Sequence, residues 1–495
     1  MKYISTRGLK EYLTSAEAII AGIANDGGLF VPTEIPQVDA NFIDSLIDLS
    51  YQDRAKKILE KFLVDYTEAE LANCVSNAYG FDKFDSAKVA PVVTAGTNNV
   101  LELWHGPTSA FKDMALQLLP QLMSTALKKT GEKSQIVILV ATSGDTGKAA
   151  LEGFKDVDQI KILVFYPDNG VSQIQRLQMV TQEGANVKVI AVDGNFDDAQ
   201  TGVKKIFNDE LFNLKLKKDN IQLSSANSIN WGRLVPQIVY YFSAYADLLQ
   251  DGKIKSGNKV NFVVPTGNFG NILAGYYAKM MGLPINKLIC ASNSNNVLTD
   301  FLNTGTYDRN RPFYKTTSPS MDILISSNLE RLLYTLTNAD STKVGTWMKQ
   351  LNDNGQYKVD EEVLSSIKEN FWSDFADDFK TAETIKTVYE KDGYTLDPHT
   401  AVAWYVADKY KETTKDLLPT VIVSTASPYK FNENVLGALD NQVVAKLQDE
   451  FEVLDKLAEI TGVKVPVALT NLRNAKIIHN DKCKKEEMAM FITKI

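Results

Sequence analysis

Cysteine and histidine are both scarce in this chain of 495 residues, which has three of each. The cysteines are Cys74, Cys290 and Cys483, and the histidines are His105, His399 and His479. The cysteines are far apart and show no CxxC spacing, which argues against a disulfide framework and the common zinc motifs. The histidines are equally scattered, so we predict no bound metal. Cysteines without partners are typical of a reducing compartment, and we expect a cytoplasmic protein.

Long apolar runs and an excess of basic residues are also missing. No run approaches the roughly 20 apolar residues that a membrane-spanning helix needs, and the opening residues lack the apolar core of a signal peptide. The 53 Lys and Arg residues face 61 Asp and Glu residues, for a formal net charge of −8. Nucleic acids and anionic membranes both favour basic patches, so we expect neither as a partner. The net charge does not exclude a small anionic ligand, which needs only a few local donors.

The pattern of apolar residues predicts a mainly helical region over residues 1–95 and an α/β domain over residues 96–235. The first region contains Thr14 and Glu17, which have the spacing of a capping box ahead of an apolar helical stripe. In the second, short β-branched runs alternate with helical patterns, which is typical of a parallel sheet with crossover helices. These runs lie at 135–140, 161–165 and 186–192.

A second α/β domain is predicted over residues 236–495. Its apolar runs lie at 259–264, 287–292 and 420–425. Residues 300–395 are interpreted as an insertion in this domain, with acidic helices such as the one predicted over 360–379. The predicted fold class is therefore α/β, with two three-layer α/β/α domains, a mainly helical N-terminal region and an insertion in the second domain.

Two glycine-rich loops follow predicted strands and precede predicted helices. They are ATSGDTG at 141–147 and PTGNFGN at 265–271. Such loops expose backbone N–H groups at a helix N-terminus, where the helix dipole favours an anion, and they lie at the ligand-binding edge of a parallel sheet. The first is not a nucleotide-binding P-loop, because Thr142 and Ala149 replace two of its required residues. Taken singly, each loop is equally well explained as a tight turn.

Lys112 lies in the segment HGPTSAFKD at 105–113, next to the predicted start of a helix. The helix dipole disfavours a cation there by roughly 0.3–1 kcal/mol. A lysine that acts as a Schiff-base nucleophile suits this position, because its pKa should be lowered. The spacing alone is equally consistent with an ordinary surface lysine.

The segment SANSINWGR at 225–233 offers several polar donors within one loop. Arg233 can bind a phosphate with two parallel hydrogen bonds. Three further donors are Asn227, Ser228 and Asn230. The alternative is a turn that caps the helix that follows.

Two other segments predict helix caps rather than chemistry. Residues 193–198 begin like a calcium loop, but Asp198 stands where the loop requires glycine. Asp397 and Pro398 have the preferences of the N-cap and first helical positions, so we expect His399 to be structural.

These segments, in this order, resemble the threonine synthase family of fold-type II pyridoxal-phosphate enzymes, in the tryptophan-synthase β superfamily. The matching segments are DGGLFVP (26–32), ELWHGPTSAFKDMALQ (102–117), ATSGDTG (141–147), SANSINWGR (225–233), PTGNFGN (265–271), SPSMDI (318–323), DPHTAV (397–402) and STASPYKF (424–431). The resemblance implies a lyase of threonine biosynthesis, acting on O-phosphohomoserine and water by γ-elimination and β-addition, as a monomer or homodimer. A related phospholyase or a hydroxyamino-acid dehydratase is the alternative.

The resemblance also implies roles for individual residues. Lys112 would bind pyridoxal 5'-phosphate covalently and move protons, Asp145 would lie near the cofactor's phenolic oxygen, and Thr425 would face its pyridine nitrogen. The remaining implied cofactor-binding residues are Phe111, Thr266, Gly267, Asn268, Phe269, Gly270 and Asn271. The implied substrate-binding residues are Ser143, Gly144 and Thr146 for the carboxylate, and Asn227, Ser228, Asn230 and Arg233 for the phosphate.

The chain departs from the family pattern in one of these segments. Ser427 and Tyr429 stand where the family commonly has histidine and alanine. The nearby Thr425 and Lys430 match the pattern, so the departure leaves the cofactor assignment in place.

Overall fold

The computed structural model describes residues 1–142, 144–169 and 171–493. Its strands are β1 (Tyr3–Ser5), β2 (Phe30–Pro32), β3 (Val92–Ala95), β4 (Asn98–Glu102), β5 (Gln135–Ala141), β6 (Ile160–Pro167), β7 (Val187–Val192), β8 (Ile221–Ser224), β9 (Val260–Pro265), β10 (Ile285–Ser292), β11 (Thr306–Asp308), β12 (Gln356–Lys358), β13 (Phe371–Phe375), β14 (Thr420–Ser424) and β15 (Asp481–Cys483).

The α-helices are α1 (Ser15–Ala21), α2 (Ala40–Asp44), α3 (Tyr51–Leu59), α4 (Glu68–Ala78), α5 (Asp113–Leu116), α6 (Leu119–Thr130), α7 (Asp145–Phe154), α8 (Gln173–Val180), α9 (Phe196–Asn208), α10 (Glu210–Lys218), α11 (Trp231–Gln250), α12 (Gly270–Met281), α13 (Val297–Thr304), α14 (Leu329–Leu336), α15 (Ser341–Asn354), α16 (Glu361–Asn370), α17 (Asp378–Asp392), α18 (Pro398–Thr414), α19 (Asn432–Leu439), α20 (Asn441–Val444), α21 (Glu450–Thr461) and α22 (Val467–Thr470). Short 3-10 helices lie at Pro319–Met321, Pro428–Phe431, Asn471–Asn474 and Lys485–Phe491. Within the described part of the chain, no helix is both long and apolar enough to cross a membrane.

Two largely parallel sheets organise the molecule. The larger has the order β13-β10-β9-β14-β4-β3, and only the edge strand β3 is antiparallel to its neighbour. The smaller has the order β15-β7-β6-β5-β8 and is parallel throughout. Every residue of β9 is buried, as expected for a parallel strand covered by helices on both faces. The predicted α/β class is confirmed.

The N-terminal helices pack onto the helices of the two sheets. Helix α1 contacts α6, and α3 contacts the long helix α11, which is buried over most of its length. A buried ion pair between Arg54 and Asp247, with 2.7 Å between Nη1 and Oδ1, joins α3 to α11. The N-terminal region therefore shares one core with the two sheets.

Strands β4, β13 and β15 lie in segments where the sequence pattern predicted no strand. Strand β4 comes from the segment 96–235 but pairs with β14 in the larger sheet. Strand β15, near the far end of the sequence, pairs with β7 in the smaller sheet. The helix predicted over 360–379 is wrong at its centre, where β13 pairs with β10. In this segment Phe371 and Ser373 are buried and the residues between and after them are more exposed, which is the alternation of a strand.

The predicted helix caps are confirmed. Thr14 and Glu17 form the capping box of α1. Asn195 caps α9 in a capping box with Asp198, as expected for a strand end that leads into a helix. The carboxylate of Asp397 accepts hydrogen bonds from backbone N–H groups of the first turn of α18.

Candidate active site

The candidate site lies where loops from both sheets meet at the carboxyl ends of their strands. Lys112 lies after β4, Asp145 lies after β5, Asn271 lies in the first turn of α12 after β9, and Thr425 follows β14 directly. In open parallel sheets this edge is the usual position of a ligand. The sequence therefore places four predicted site residues on the same side of the two sheets.

Lys112 is buried at the N-terminus of α5. Its Nζ donates a hydrogen bond to Oγ of Ser320 at 3.1 Å and lies 3.7 Å from Oδ2 of Asp145. The same Nζ is 5.0 Å from the centre of the Phe111 ring. The loop is held in place because the N–H of Phe111 donates to the carbonyl of Thr425 at 2.8 Å. The surface-lysine alternative is therefore wrong.

Several charges act on the amine of Lys112. Burial lowers its pKa, and the positive charges of Lys430 and Arg233 lower it further, whereas Asp145 and Asp113 act in the opposite direction. The net lowering favours a neutral amine, which is the form that attacks a carbonyl carbon.

Lys430 is a residue of this site that the sequence reasoning did not assign. Its side chain is fully buried, with Nζ 2.7 Å from Oδ1 of Asp145. It also donates to the carbonyl of Thr108 at 2.9 Å. Burial would raise the pKa of Asp145, but Lys430 and Lys112 outweigh it and hold that pKa well below its ordinary value. Asp145 is therefore ionised.

Ser320 and His399 were also missed as site residues. The backbone N–H of Ser320 donates to Nε2 of His399 at 3.2 Å, which puts the ring proton on Nδ1, 2.8 Å from Oδ1 of Asp397. The carboxylate of Asp397 thus caps α18 and orients the histidine. Ser320 connects this histidine with Lys112, whose Nζ donates to the hydroxyl of Ser320. The only sequence signals were the segments 318–323 and 397–402, and a helix cap explained the second.

The loop after β9 has the features of an anion site. Phe269, in the left-handed region at φ 63°, precedes α12, and no side chain caps that helix. Gly267 allows close approach, since a Cβ there would lie 2.6 Å from the carbonyl oxygen of Ser320. The Nδ2 of Asn271 is buried and has no hydrogen-bond partner among the described residues. Free donors at a helix N-terminus fit a phosphate group.

The other members of this loop hold its shape. The hydroxyl of Thr266 donates to the carbonyl of Val264 at 2.7 Å. The carbonyl of Asn268 accepts from the backbone N–H and the side-chain amide of Asn328, at 3.1 Å each. Gly270 begins α12. These contacts fix the backbone of the loop, and so the direction of its N–H groups at the start of α12.

Arg233 is buried, and in the described ranges it forms no ion pair with a carboxylate. Its Nη1 donates to the carbonyl of Ala226 at 2.6 Å, and its Nε has no hydrogen-bond partner among the described residues. Burial lowers the pKa of Arg233 to about 10, so it stays charged at neutral pH. A buried guanidinium with free donors and no counterion fits an anionic ligand.

The three polar residues before Arg233 differ in their surroundings. Asn230 is buried, and its side chain is engaged with Gly232 N and Ile19 O at 2.9 and 3.0 Å, as the capping alternative predicts. Asn227 is exposed, and Ser228 is half-buried. The structure therefore leaves the side chains of Asn227 and Ser228 more accessible than that of Asn230.

The loop after β5 is a tight turn held by Thr142, whose Oγ1 accepts from the N–H groups of Gly144 and Gly147 at 3.0 Å each. Gly144 has φ 153°, and a Cβ there would lie 2.7 Å from the side chain of Gln175. Thr146 is half-buried in the first turn of α7. Ser143, the remaining predicted residue of this loop, lies outside the described residues.

The two residues that depart from the family pattern are both buried. Oγ of Ser427 accepts from the N–H of Tyr429 at 3.4 Å, and the N–H of Ser427 donates to the carbonyl of Ser109 at 3.0 Å. The phenol of Tyr429 donates to the carbonyl of Val463, just after α21. Tyr429 thus fills the space between the loop after β14 and the end of α21.

Comparison with known proteins agrees with this geometry. Three family models match in order, described as "Threonine synthase N terminus" (residues 2–79), "Pyridoxal-phosphate dependent enzyme" (100–426) and "Threonine synthase, C-terminal" (400–470). The central match and the buried lysine between two parallel sheets define the class, the fold-type II pyridoxal-phosphate-dependent enzymes. More narrowly, the chain belongs to the threonine synthase family.

Individual relatives support the same family assignment. The chain is 44% identical to threonine synthase-like 1 of Homo sapiens in an alignment of 436 residues that covers 86% of this chain and 58% of that protein. It therefore spans little more than half the length of that relative. It is 39% identical to threonine synthase of Saccharomyces cerevisiae, covering 97% and 96% of the two chains. A crystal structure of PLP-bound threonine synthase from Brucella melitensis has a TM-score of 0.88 at 39% identity, covering 100% and 99% of the chains.

Proposed function

We propose that this chain is a threonine synthase, which converts O-phospho-L-homoserine and water to L-threonine and phosphate with pyridoxal phosphate as cofactor. One observation carries the proposal: the site contains a buried amine, that of Lys112, and a buried guanidinium, that of Arg233, whose Nε has no partner among the described residues. An amine of lowered pKa suits an aldehyde cofactor, and a free guanidinium suits a phosphate. Family membership and the similarity to solved threonine synthases support both assignments.

The proposed cofactor residues fit pyridoxal phosphate. Its phosphate would bind the uncapped N-terminus of α12 and the free amide Nδ2 of Asn271. Its aldehyde would be held by Lys112. Asp145 would lie near the phenolic oxygen, and Thr425 would face the pyridine nitrogen with a hydroxyl. When bound, the cofactor supplies an electron sink that stabilises negative charge on substrate carbon atoms.

The residues of the chain then have distinct tasks. The amine of Lys112, hydrogen-bonded to Ser320 and shielded from bulk water, holds and returns protons at Nζ. Arg233 binds the phosphate of the substrate and keeps it oriented while it leaves, with Asn227 and Ser228 as further donors. The loop from Ser143 to Thr146 receives the substrate carboxylate.

Product analysis tests the reaction. The purified protein, loaded with pyridoxal phosphate, is offered phosphohomoserine, phosphothreonine, serine and threonine in separate assays. We expect threonine and phosphate in equal amounts from phosphohomoserine alone. Phosphate without threonine would indicate a phospholyase, and turnover of unphosphorylated serine or threonine would indicate a dehydratase. Either result would contradict the proposal.

Mass spectrometry tests the attachment site. After borohydride reduction of the loaded protein, we expect the cofactor mass on the peptide that contains Lys112. Lys112→Ala should remove this adduct and abolish turnover. Lys83→Ala is a matched control, because Lys83 is a half-buried lysine that donates to Gln117 and belongs to no proposed site. A retained adduct in Lys112→Ala would refute the assignment.

The proposal extends to compartment and assembly. All three cysteines are free, buried thiols, which supports a reducing compartment such as the cytoplasm. A monomer or a homodimer is expected, and size-exclusion chromatography with light scattering distinguishes the two.

A further inference from the structure

Two buried lysines lie near the carboxylate of Asp145, but at different distances. Nζ of Lys430 lies 2.7 Å from Oδ1, whereas Nζ of Lys112 lies 3.7 Å from Oδ2. The hydrogen bond of Lys112 goes to the neutral hydroxyl of Ser320 at 3.1 Å. The close ion pair of Asp145 is therefore with Lys430.

Lys430 has a second fixed partner on the loop that leads to Lys112. It donates to the carbonyl of Thr108 at 2.9 Å. The N–H and hydroxyl of Thr108 in turn donate to the carboxylate of Asp113, at 2.8 and 2.7 Å. One ammonium group thus connects the loop after β4, in the larger sheet, with the loop after β5, in the smaller sheet.

We propose that Lys430 is a positioning residue for Lys112: by taking Asp145 as its close ion-pair partner, it keeps this carboxylate from forming an equally close ion pair with the amine of Lys112, which is then able to lose its proton. This inference rests on the proposed attachment of the cofactor to Lys112. A lysine paired at 2.7 Å with a buried carboxylate would stay an ammonium ion, which cannot attack an aldehyde.

The other charged groups around the cluster do not replace Lys430. Arg233 adds positive charge near Lys112, and Asp113 adds negative charge, although burial raises the pKa of Asp113 to about 6. His399 contacts other partners than Asp145: its Nε2 accepts from the N–H of Ser320 at 3.2 Å, and its Nδ1 lies 2.8 Å from Oδ1 of Asp397. Lys430 is the cation in direct contact with Asp145.

The test measures how readily Lys112 loses its proton in the full-length protein. Acetic anhydride labels neutral amines, and peptide mass spectrometry gives the extent of labelling at Lys112 as a function of pH. In Lys430→Met we expect the midpoint to rise by about one pH unit or more, because Asp145 becomes free to pair with Lys112 and a like charge is lost. In Lys430→Arg, which keeps the charge, the midpoint should remain near that of the wild type.

A double variant separates this role from general damage to the fold. In Lys430→Met/Asp145→Asn the upward shift should largely disappear, because no carboxylate is left to pair with Lys112. A purely structural role for Lys430 predicts no such cancellation. If Lys430→Met does not fold, Lys430→Gln, which keeps a donor for Thr108, is measured in the same way.

The outcomes distinguish this inference from the proposed function. An unchanged or lowered midpoint in the neutral variants would overturn the role of Lys430, even when the reduced cofactor is found on Lys112. A reduced adduct on Lys430 itself would overturn both. The absorbance of the loaded protein, titrated against pH, provides a second readout and should shift in the same direction as the labelling midpoint.

Discussion

Arg233 and Arg331 are both buried guanidinium groups, but they differ in what their donors contact. Arg331 donates to the carbonyls of Phe30 and Ile229 and to Oδ1 of Asn328. Arg233 donates to one carbonyl, and its Nε has no hydrogen-bond partner among the described residues. The first therefore has the environment of a structural residue, and the second that of a ligand-binding residue.

Replacement of these two arginines should have different effects. We expect Arg233→Ala to raise KM for phosphohomoserine about ten- to a hundredfold, because a hydrogen bond to a charged group contributes roughly 1.5–3 kcal/mol. The cofactor absorbance should be retained. Arg331→Ala should instead lower the free energy of unfolding, since each buried carbonyl left without a donor costs about 1–3 kcal/mol. Loss of cofactor from Arg233→Ala would place Arg233 in the cofactor site.

At this scale the sequence reveals residues that lie in recognisable segments. Lys112 and the loop from Thr266 to Asn271 could be predicted because local chemistry marks them: a cation beside a helix start, and a glycine-rich turn after a strand. Lys430 and Ser320 also lie in recognisable segments, 424–431 and 318–323, but their roles could not be predicted, because these roles depend on contacts with residues far away in the sequence. Nothing local distinguishes Lys430 from a lysine on the surface.

Among the elements, the 3-10 helix Pro428–Phe431 couples the site to the end of α21. Tyr429 extends from it to the carbonyl of Val463. The neighbouring Lys430 points into the site. The two adjacent side chains therefore contact different parts of the molecule, Tyr429 the end of α21 and Lys430 the site.

Variants of Tyr429 test this coupling. Tyr429→Phe should lower the free energy of unfolding by about 0.5–1.5 kcal/mol, mainly through loss of the hydrogen bond from the phenol to the carbonyl of Val463. Tyr429→Ala should cost about 3–5 kcal/mol, because it leaves a cavity in the core. Hydrogen exchange should accelerate in α21, while the cofactor adduct on Lys112 remains. Loss of the adduct in Tyr429→Phe would contradict the inference that Tyr429 contributes to stability and not to the site.

Strand β13 illustrates why element type was harder to predict in the insertion. Residues 360–379 are rich in acidic residues and have no glycine or proline to mark a break. The segment nevertheless changes from helix to strand at Phe371, where pairing with β10 completes the edge of the larger sheet. Such pairing is a long-range interaction, and it overrides local helix preference.

On the scale of the whole molecule, His105 should make stability depend on pH. Burial by itself lowers the pKa of His105, but hydrogen bonds to Asp85 and Glu102 raise it from 6.5 to about 9. A raised histidine pKa stabilises the folded state fully below about pH 6.5, and this contribution is lost as the pH rises to about 9. The shift corresponds to about 3 kcal/mol.

Thermal unfolding of the wild type and of His105→Gln measures this contribution. The Tm difference between the two proteins should be largest near pH 6 and should shrink toward pH 9. Titrating groups that do not interact with His105 contribute equally to both proteins, so their effects cancel in the difference. A difference that is constant over this range would show that folding does not raise the pKa of His105.

The whole fold was predictable in class but not in its connections. Alternating strand and helix patterns predicted two α/β units, and the structure has two parallel sheets. The placement of β4 and β15 was not predictable, because parallel pairing joins strands that are hundreds of residues apart. The site depends on those connections, since they bring Lys112 and Asp145 from different sheets to within 3.7 Å.

The side-chain amide of Asn328 donates both to the carbonyl of Ser228, at 3.2 Å, and to that of Asn268, at 3.1 Å. The backbone around the proposed substrate phosphate and the backbone around the proposed cofactor phosphate are therefore tied to one group, and their separation is set before any ligand arrives. Such a fixed span selects substrates by length. O-phosphoserine, one methylene shorter than phosphohomoserine, should fail to reach both ends, and competition assays should show it to be a far weaker inhibitor than a non-reactive analogue of full length.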